Sequence, residues 1–251
     1  MAELRGELKT RTLVSCFLRC YLIGAAYNTR GLQHVGLAFA MEPGLVALYP
    51  DPAQRDKVFK RYLDLYNTHF FWTPLLVGLF LSLETKIARG LIPAEMLDNV
   101  KTTTAFTLSA IGDTFFSASI MGLWGLCAAC LLAAGQYAAL GVLAGGLFAA
   151  VQVFKAVTFR AGYHEGFHVL RRLKRWDLVN LGRKVKVANA VLLTVFWILA
   201  KPMGSRASLA DAVLVAVLAA WAATRPSVSR EIALLALAAG WVLTRSMWPA
   251  S

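Results

Sequence analysis

The sequence predicts an all-α, polytopic integral membrane protein with short or broken helices and an amphipathic N-terminal region. Three observations carry that expectation. Hydrophobic residues make up 58% of the 251 residues and charged residues 16%, against roughly 45–50% and about 25% in soluble domains. The stretch from Thr114 to Phe154 holds no formal charge; at about 20 residues per crossing it is long enough for two helices, with the turn expected at Ala134-Gly135-Gln136. The net charge of +12 is concentrated: from Arg160 to Lys186 eight Lys or Arg face only Glu165 and Asp177, which the positive-inside rule reads as cytoplasmic.

Residues 1–72 form the amphipathic N-terminal region. Arg5, Lys9, Arg11 and Arg19 agree with a cytoplasmic N-terminus. An opening this charged, with no short apolar run before a small-residue cleavage site, does not read as a signal peptide. Thr10 to Tyr27 is expected as a helix lying on the membrane surface, with Leu13, Phe17, Ile23 and Tyr27 apolar and Arg19 interrupting them. Gly31, Gly36, Pro43 and Gly44 then bend or interrupt the backbone, and Tyr49-Pro50-Asp51-Pro52 marks a turn. Gln54 to Tyr66 reads as a short amphipathic helix. Val58, Tyr62 and Leu65 share its dry side, Arg55, Lys57, Lys60 and Asp64 stay wet, and Asn67-Thr68 stops it.

Residues 73–160 are expected to hold the membrane core helices, with a polar connection from Lys86 to Lys101 and a helix start at Pro93-Ala94-Glu95. Residues 161–186 form the basic cytoplasmic loop, and 187–251 contribute C-terminal apolar helices. The shorter apolar runs (Thr73 to Leu83, Val187 to Ala200, Leu209 to Ala223, Ile232 to Leu243) fall below the roughly 18 residues that mark a spanning helix, so hydropathy leaves the number of crossings open.

A basic chain invites a nucleic-acid reading, but charge gathered beside apolar segments more simply meets anionic headgroups of a lipid bilayer. No nucleic acid partner is expected. Cys127-x-x-Cys130 lies in the apolar run without a second pair or a histidine at zinc spacing, so it and Cys16/Cys20 read as packing residues. The string HEGFH, His164 to His168, fits H-E-x-x-H, in which two imidazoles one helical turn apart hold Zn²⁺ and the glutamate activates water. A catalytic site needs a third ligand, and His34 and His69 have no metalloprotease-like context. His164, Glu165 and His168 are therefore disfavoured as a metal site, and neither a metal nor another cofactor is expected.

From Leu22 to Pro50 the chain reads LIGAAYNTRGLQHVGLAFAMEPGLVALYP. Gly24, Tyr27-Asn28, Gln33, Gly36 with Phe39, Met41 with Pro43, and Leu48-Tyr49-Pro50 fall in an order and spacing that resembles the IID membrane component of the mannose/fructose/sorbose-family sugar phosphotransferase system. RYLDLYNTHFFWTPLLVGLFLSLE, AIGDTFF (Ala110 to Phe116) and AGYHEGF (161 to 167) continue the resemblance downstream. In the last block Gly162, Tyr163 and Gly166 carry it, while His164 and Glu165 occupy variable positions. The chain departs from the family at Phe106-Thr107, where Gly-Pro is usual, at Phe70, where Pro is, and at Lys155, where Arg is.

The resemblance implies a helical subunit of the cell inner membrane. It would pair with a separate IIC chain in a hetero-oligomer to carry a hexose or amino sugar inward, while soluble IIA and IIB proteins relay phosphate. The phosphorylated residues belong to those other chains, so no catalytic residue is expected here. Polar residues at bilayer depth beside broken helices mark substrate sites, which singles out Asn67, Thr68, Asp113, Gln33, Asn28 and Glu84 as candidate sugar contacts. Each taken alone has a structural role that reads ahead of sugar contact: Asn67 as a helix cap, Asp113 as the partner of Lys101 or Lys155, and Gln33 as a link between helices. The alternatives are a transport-inactive, IID-like regulatory subunit and, third, a membrane zinc protease acting through HEGFH.

Overall fold

The computed structural model describes residues 7–200, 213–218 and 221. Of the apolar helices expected over 187–251, those beyond residue 200 therefore lie almost wholly outside the described residues. Every regular element among the described residues is helical, and strand-type pairing is confined to two isolated bridges, Asn28 with Leu32 and Leu32 with Tyr66. The protein is an all-α membrane protein.

Helix α1 (Thr10–Arg19) ends in a 3₁₀ turn, Cys20–Leu22, short of Tyr27, because Ile23 to Ala26 turn the chain back toward α2. Cys16 and Cys20 are buried beneath it, and burial pushes the Cys16 thiol up to about 11. Helix α2 (His34–Leu48) continues without a break through Gly36, Pro43 and Gly44, where an interruption or a bend was expected. Pro43 leaves the Phe39 carbonyl without its helical donor, and Arg19 Nη1 donates to that carbonyl at 3.0 Å instead. Asp51 caps α3 (Pro52–Lys60) by accepting from the Gln54 amide at 3.0 Å, with Pro52 in the first turn.

After α3 a 3₁₀ turn, Arg61–Leu63, closes the segment, and the chain is extended from Asp64. The Lys101 ammonium donates to the Arg61 carbonyl and to Asp64 at 3.3 Å, satisfying a helix-end acceptor. The expected helix to Tyr66 therefore stops early, and Leu65 points to the outside while Val58 and Tyr62 are buried. Helix α4 (Thr73–Ala88) is buried without interruption from Thr73 to Thr85. Its apolar run is a core helix packed within protein.

Helix α5 (Glu95–Gly112) continues through a π-helical stretch, Asp113–Ile120, into α6 (Met121–Ala133). Helix α7 spans Tyr137–Glu165. The turn between α6 and α7 falls where expected. Gly135 takes φ +68°, Gln136 N donates to Leu131 O at 2.8 Å and Gly135 N to Leu132 O at 3.0 Å, the two bonds of a Schellman termination. Among the described residues, two stretches are long and apolar enough to cross a membrane, Glu95–Ala133 and Tyr137–Glu165. No residue in the apolar window of α7 is buried within the protein; an apolar helix left this open matches lipid as its solvent.

The stretch 161–186, expected as a loop, is mostly helical: the end of α7, then α8 (His168–Arg175), then α9 (Leu178–Ala200). Val169 and Leu173, four apart, are buried on one side of α8, and Arg171, Lys174 and Arg175 are exposed.

The chain divides into two compact units, Met1–Asp113 with Phe148–Asp177, and Thr114–Leu147 with Leu178–Ser251. In the first, α4 and α7 meet backbone to backbone at Gly78 and Gly162. A Cβ on Gly162 would come within 3.0 Å of the Leu75 carbonyl and the Leu79 amide, and one on Gly78 would strike the Phe159 carbonyl. In the second, α6 and α9 pack along each other. There Ser119 Oγ donates to the Gly182 carbonyl at 3.2 Å and Asn189 Nδ2 to the Ser119 carbonyl at 3.1 Å.

Candidate functional site

The site is built on the extended segment Tyr66 to Trp72 of the first unit, between the 3₁₀ turn after α3 and the start of α4. Tyr66, Thr68, His69 and Trp72 are buried, Asn67 is half-buried and Phe70 is exposed. A segment that is neither helix nor sheet must find partners for its backbone, and the chain around Asn28 to Gln33 supplies them. Asn28 and Leu32 exchange backbone hydrogen bonds at 3.2 and 2.9 Å, and the Asn28 Oδ1 accepts from the Arg30 and Gly31 amides, both at 3.0 Å. This closes a tight loop in which Leu32 takes φ +58°. From its edge Gln33 N donates to the Tyr66 carbonyl at 2.9 Å.

Gln33 extends that pairing with its side chain. Its Nε2 donates to the Thr68 carbonyl at 3.0 Å and its Oε1 accepts from the Thr68 amide at 3.1 Å. The carboxamide thus does the work of one more peptide group. Gln33 does join two elements, as the structural reading allowed, and in doing so it fixes Thr68 in the site.

From the other side comes the end of α5. Gly112 is pressed against His69 and Trp72, where a Cβ would collide with the imidazole, and this contact brings Asp113, exposed at the first position of the π-helical stretch, beside His69. Burial lowers the His69 pKa, and the Asp113 charge opposes part of that shift. The Phe71 amide donates to His69 Nδ1 at 3.3 Å, which suits the neutral ring. Asp113 pairs with neither proposed lysine: Lys101 is held by Asp64 and the Arg61 carbonyl, and Lys155 sits 4.4 Å over the Tyr21 ring.

The structure therefore gathers Asn28, Gln33, Asn67, Thr68 and Asp113 around one short segment. Asn67 does not cap α4, whose first turn follows Trp72, and its amide makes no hydrogen bond among the described residues. Three buried hydroxyls nearby, those of Tyr66, Thr68 and Thr73, also have no partner among them; buried polar atoms in that state call for a partner from outside the chain or a water. Glu84 stands apart, eleven residues along α4 and so ~16 Å from Thr73. Its carboxylate is fully buried and accepts from Tyr49 Oη at 2.6 Å, Tyr62 Oη at 2.8 Å and Arg61 Nη1 at 2.8 Å.

Sequence reasoning missed His69 and Phe70. Their rings stack at 4.6 Å and 19° with Phe70 facing outward, an aromatic face beside the free amide of Asn67. The signal was available, since His69-Phe70-Phe71-Trp72 directly follows Asn67-Thr68, but an aromatic run before an apolar helix reads first as core.

The HEGFH string is split between two helices. Gly166 takes φ +53° and ends α7 between the two histidines, so His164 and His168 lie on different helices and lose the one-turn spacing the motif needs. Glu165 is paired with Arg172 at 2.6 Å, and no group of three potential metal ligands occurs among the described residues.

Residues 7–203 match the sequence pattern of the mannose/fructose/sorbose family of phosphotransferase-system IID components. The chain is 26% identical over 179 residues to the fructose permease IID component of Bacillus subtilis strain 168, covering 68% of this chain and 62% of that protein. It is 30% identical over 102 residues to the mannose-specific EIID component of Escherichia coli K12, covering 40% and 36%. In fold it is similar to a chain in the cryo-EM structure of the mannose transporter ManYZ in complex with microcin E492, with a TM-score of 0.55, 19% identity, and coverage of 96% of this chain and 90% of that one.

Proposed function

Given that the chain belongs to the IID component family of the mannose/fructose/sorbose phosphotransferase system, we propose that it is the membrane subunit of a sugar permease and forms the translocation path together with a IIC subunit. The sugar is a hexose or amino sugar, phosphate comes from soluble IIA and IIB proteins, and no residue of this chain carries it. The observation that carries the reading is the convergence of Gln33, Thr68, Asn67 and Asp113 on the Tyr66 to Trp72 segment, with the unpartnered hydroxyl of Thr68 among them. Sugars are bound by many hydrogen-bonding groups placed against an apolar surface, and Phe70 offers such a surface.

We place the chain in the inner membrane as a multi-pass protein, with the N-terminus and residues 160–186 cytoplasmic by the positive-inside rule. On that side the outward cations of α8, Arg171, Lys174 and Arg175, suit the acidic surface of a soluble phosphocarrier.

The test is phosphoenolpyruvate-dependent uptake by cells carrying the chain with its IIC partner. Asn67→Ala and Asp113→Ala each abolish uptake while the two membrane subunits still co-purify; full uptake in both variants removes the site. A second reading, a transport-inactive regulatory subunit, is favoured by one observation: α5 is unbroken through Phe106-Thr107, where the family usually has Gly-Pro. Absence of uptake by the unmodified, assembled pair over a panel of hexoses and amino sugars selects that reading.

A further inference from the structure

In the first unit, α1, the C-terminal half of α4 and the end of α7 enclose a cavity of about 650 Å³. Its apolar and cationic groups are set apart along α7: Phe17 sits against Phe159, the Lys86 ammonium lies beside Gly166 seven residues further on, and Arg89 and Arg160 add to the cationic wall. The polarity follows from the packing, because α1 runs antiparallel to α7: Tyr21 Oη donates to Gln152 at 2.5 Å, the Phe17 and Phe159 rings lie 5.4 Å apart, and the Leu8 amide donates to Tyr163 Oη at 3.1 Å.

None of the three cations has an ion pair among the described residues. The wall holds one carboxylate, Glu7; Glu165 is engaged by Arg172. The depth is also set by sequence. About 20 residues of α7 counted from Tyr137 reach across the hydrocarbon to the neighbourhood of Val157, which leaves Phe159 at the acyl boundary and Arg160 at headgroup level. Outside the cavity Leu18, Tyr21 and Leu22 are exposed at the end of α1 and in its 3₁₀ turn, continuing the apolar end.

We propose that this cavity holds one anionic phospholipid, its phosphate against Lys86, Arg89 and Arg160 and an acyl chain along Phe17 and Phe159. A basic pocket between helices at the membrane interface recognises an anionic headgroup by charge-assisted hydrogen bonds. A zwitterionic lipid brings its own cation and neutralises less of the charge. Free phosphate fills the cationic end and leaves the apolar end in water. This assignment goes beyond the transport reading and is independent of which sugar is carried.

The test uses the purified full chain, with its membrane partner where the two co-purify, in nanodiscs of phosphatidylcholine with and without phosphatidylglycerol, followed by native mass spectrometry of the lipid retained in detergent. One phosphatidylglycerol is retained in preference to phosphatidylcholine, and K86Q/R89Q/R160Q lowers that retention at least about tenfold. R171Q/K174Q/R175Q, which removes the same charge from α8, leaves it unchanged. Equal retention of the two lipids, equal loss in both triple variants, or displacement of phosphatidylglycerol by inorganic phosphate overturns the proposal. Folding is checked by the melting temperature without phosphatidylglycerol. Should the cavity triple variant fail to fold, R89Q, on an exposed side chain, is read instead: it lowers retention several-fold, and unchanged retention overturns the proposal.

Discussion

The guanidinium of Arg19 stands in for a backbone amide, donating at 3.0 Å to the Phe39 carbonyl that Pro43 leaves open, and its Cζ lies 4.2 Å from the centroid of the Phe39 ring while Glu42 accepts from it at 2.5 Å. A proline inside a helix costs ~3 kcal/mol largely through the lost bond and the clash with that carbonyl. Arg19→Ala therefore destabilises the first unit by about 1–3 kcal/mol, the range for a hydrogen bond from a charged donor. Arg19→Lys recovers only part, because an ammonium lacks the planar guanidinium that stacks over the Phe39 ring. Thermal unfolding of the detergent-solubilised protein reads both, and a double variant with Pro43→Ala should lose most of the Arg19 effect.

Gly162→Ala separates α4 from α7. The added methyl meets the backbone of Leu75 and Leu79, which side-chain rotation does not relieve, so the cost is about 1–3 kcal/mol or more. Gly145→Ala, on the same helix with open space at its Cβ, gains a few tenths to about 1 kcal/mol from helix propensity. Opposite shifts in melting temperature for two identical substitutions on one helix are the expected result.

Glu84 acts on stability before it acts on sugar. Its side chain has no exposed surface and that of Arg61 has 14%, so Glu84→Ala takes from Arg61 its buried partner, leaves it only the exposed Asp98 carboxylate at 3.5 Å, and costs about 3 kcal/mol. Tyr49→Phe removes one neutral donor and costs about 1 kcal/mol. Uptake per assembled molecule should fall in Glu84→Ala no further than the folded fraction does; a larger fall places Glu84 in the sugar path.

His69 makes the protein acid-sensitive. Its pKa is lowered from the ordinary 6.5 by burial, so the unfolded chain binds a proton at higher pH than the folded one. The stability from its neutral ring is complete above about pH 6.5, is lost as pH falls through the interval down to the folded value, and then levels off. Asp113→Asn removes the charge that opposes the shift and extends the loss to lower pH. Melting temperatures taken from pH 7.5 to 5 should fall in the unmodified protein, fall over a wider range in Asp113→Asn, and lose this component in His69→Gln.

Where sequence signals were local, they located structure. The α6 to α7 turn was legible because Gly135 supplies the positive φ that a Schellman end requires, within a stretch lacking any charge. Gln33, Asn67 and Thr68 were legible as polar residues beside broken helices, and they do converge. What escaped depended on distant partners. The donor that carries α2 through Pro43 lies twenty-four residues earlier, the end of the α3 segment is captured by Lys101, and the Gly78 to Gly162 contact joins two helices far apart in the chain. In α8 the charge run masked a simple amphipathic period, since Val169 and Leu173 supply only one short apolar line.

Gln33 occupies two positions at once: it precedes the first turn of α2, and its carboxamide clasps residue 68 by two bonds. Displacement of Thr68 by an arriving ligand must either drag the head of α2 along or break both bonds together. The loop is thereby tied to the fifteen-residue helix α2, and Gln33→Ala, which removes both side-chain bonds and leaves Asn67, Thr68 and Asp113 in place, loosens that tie.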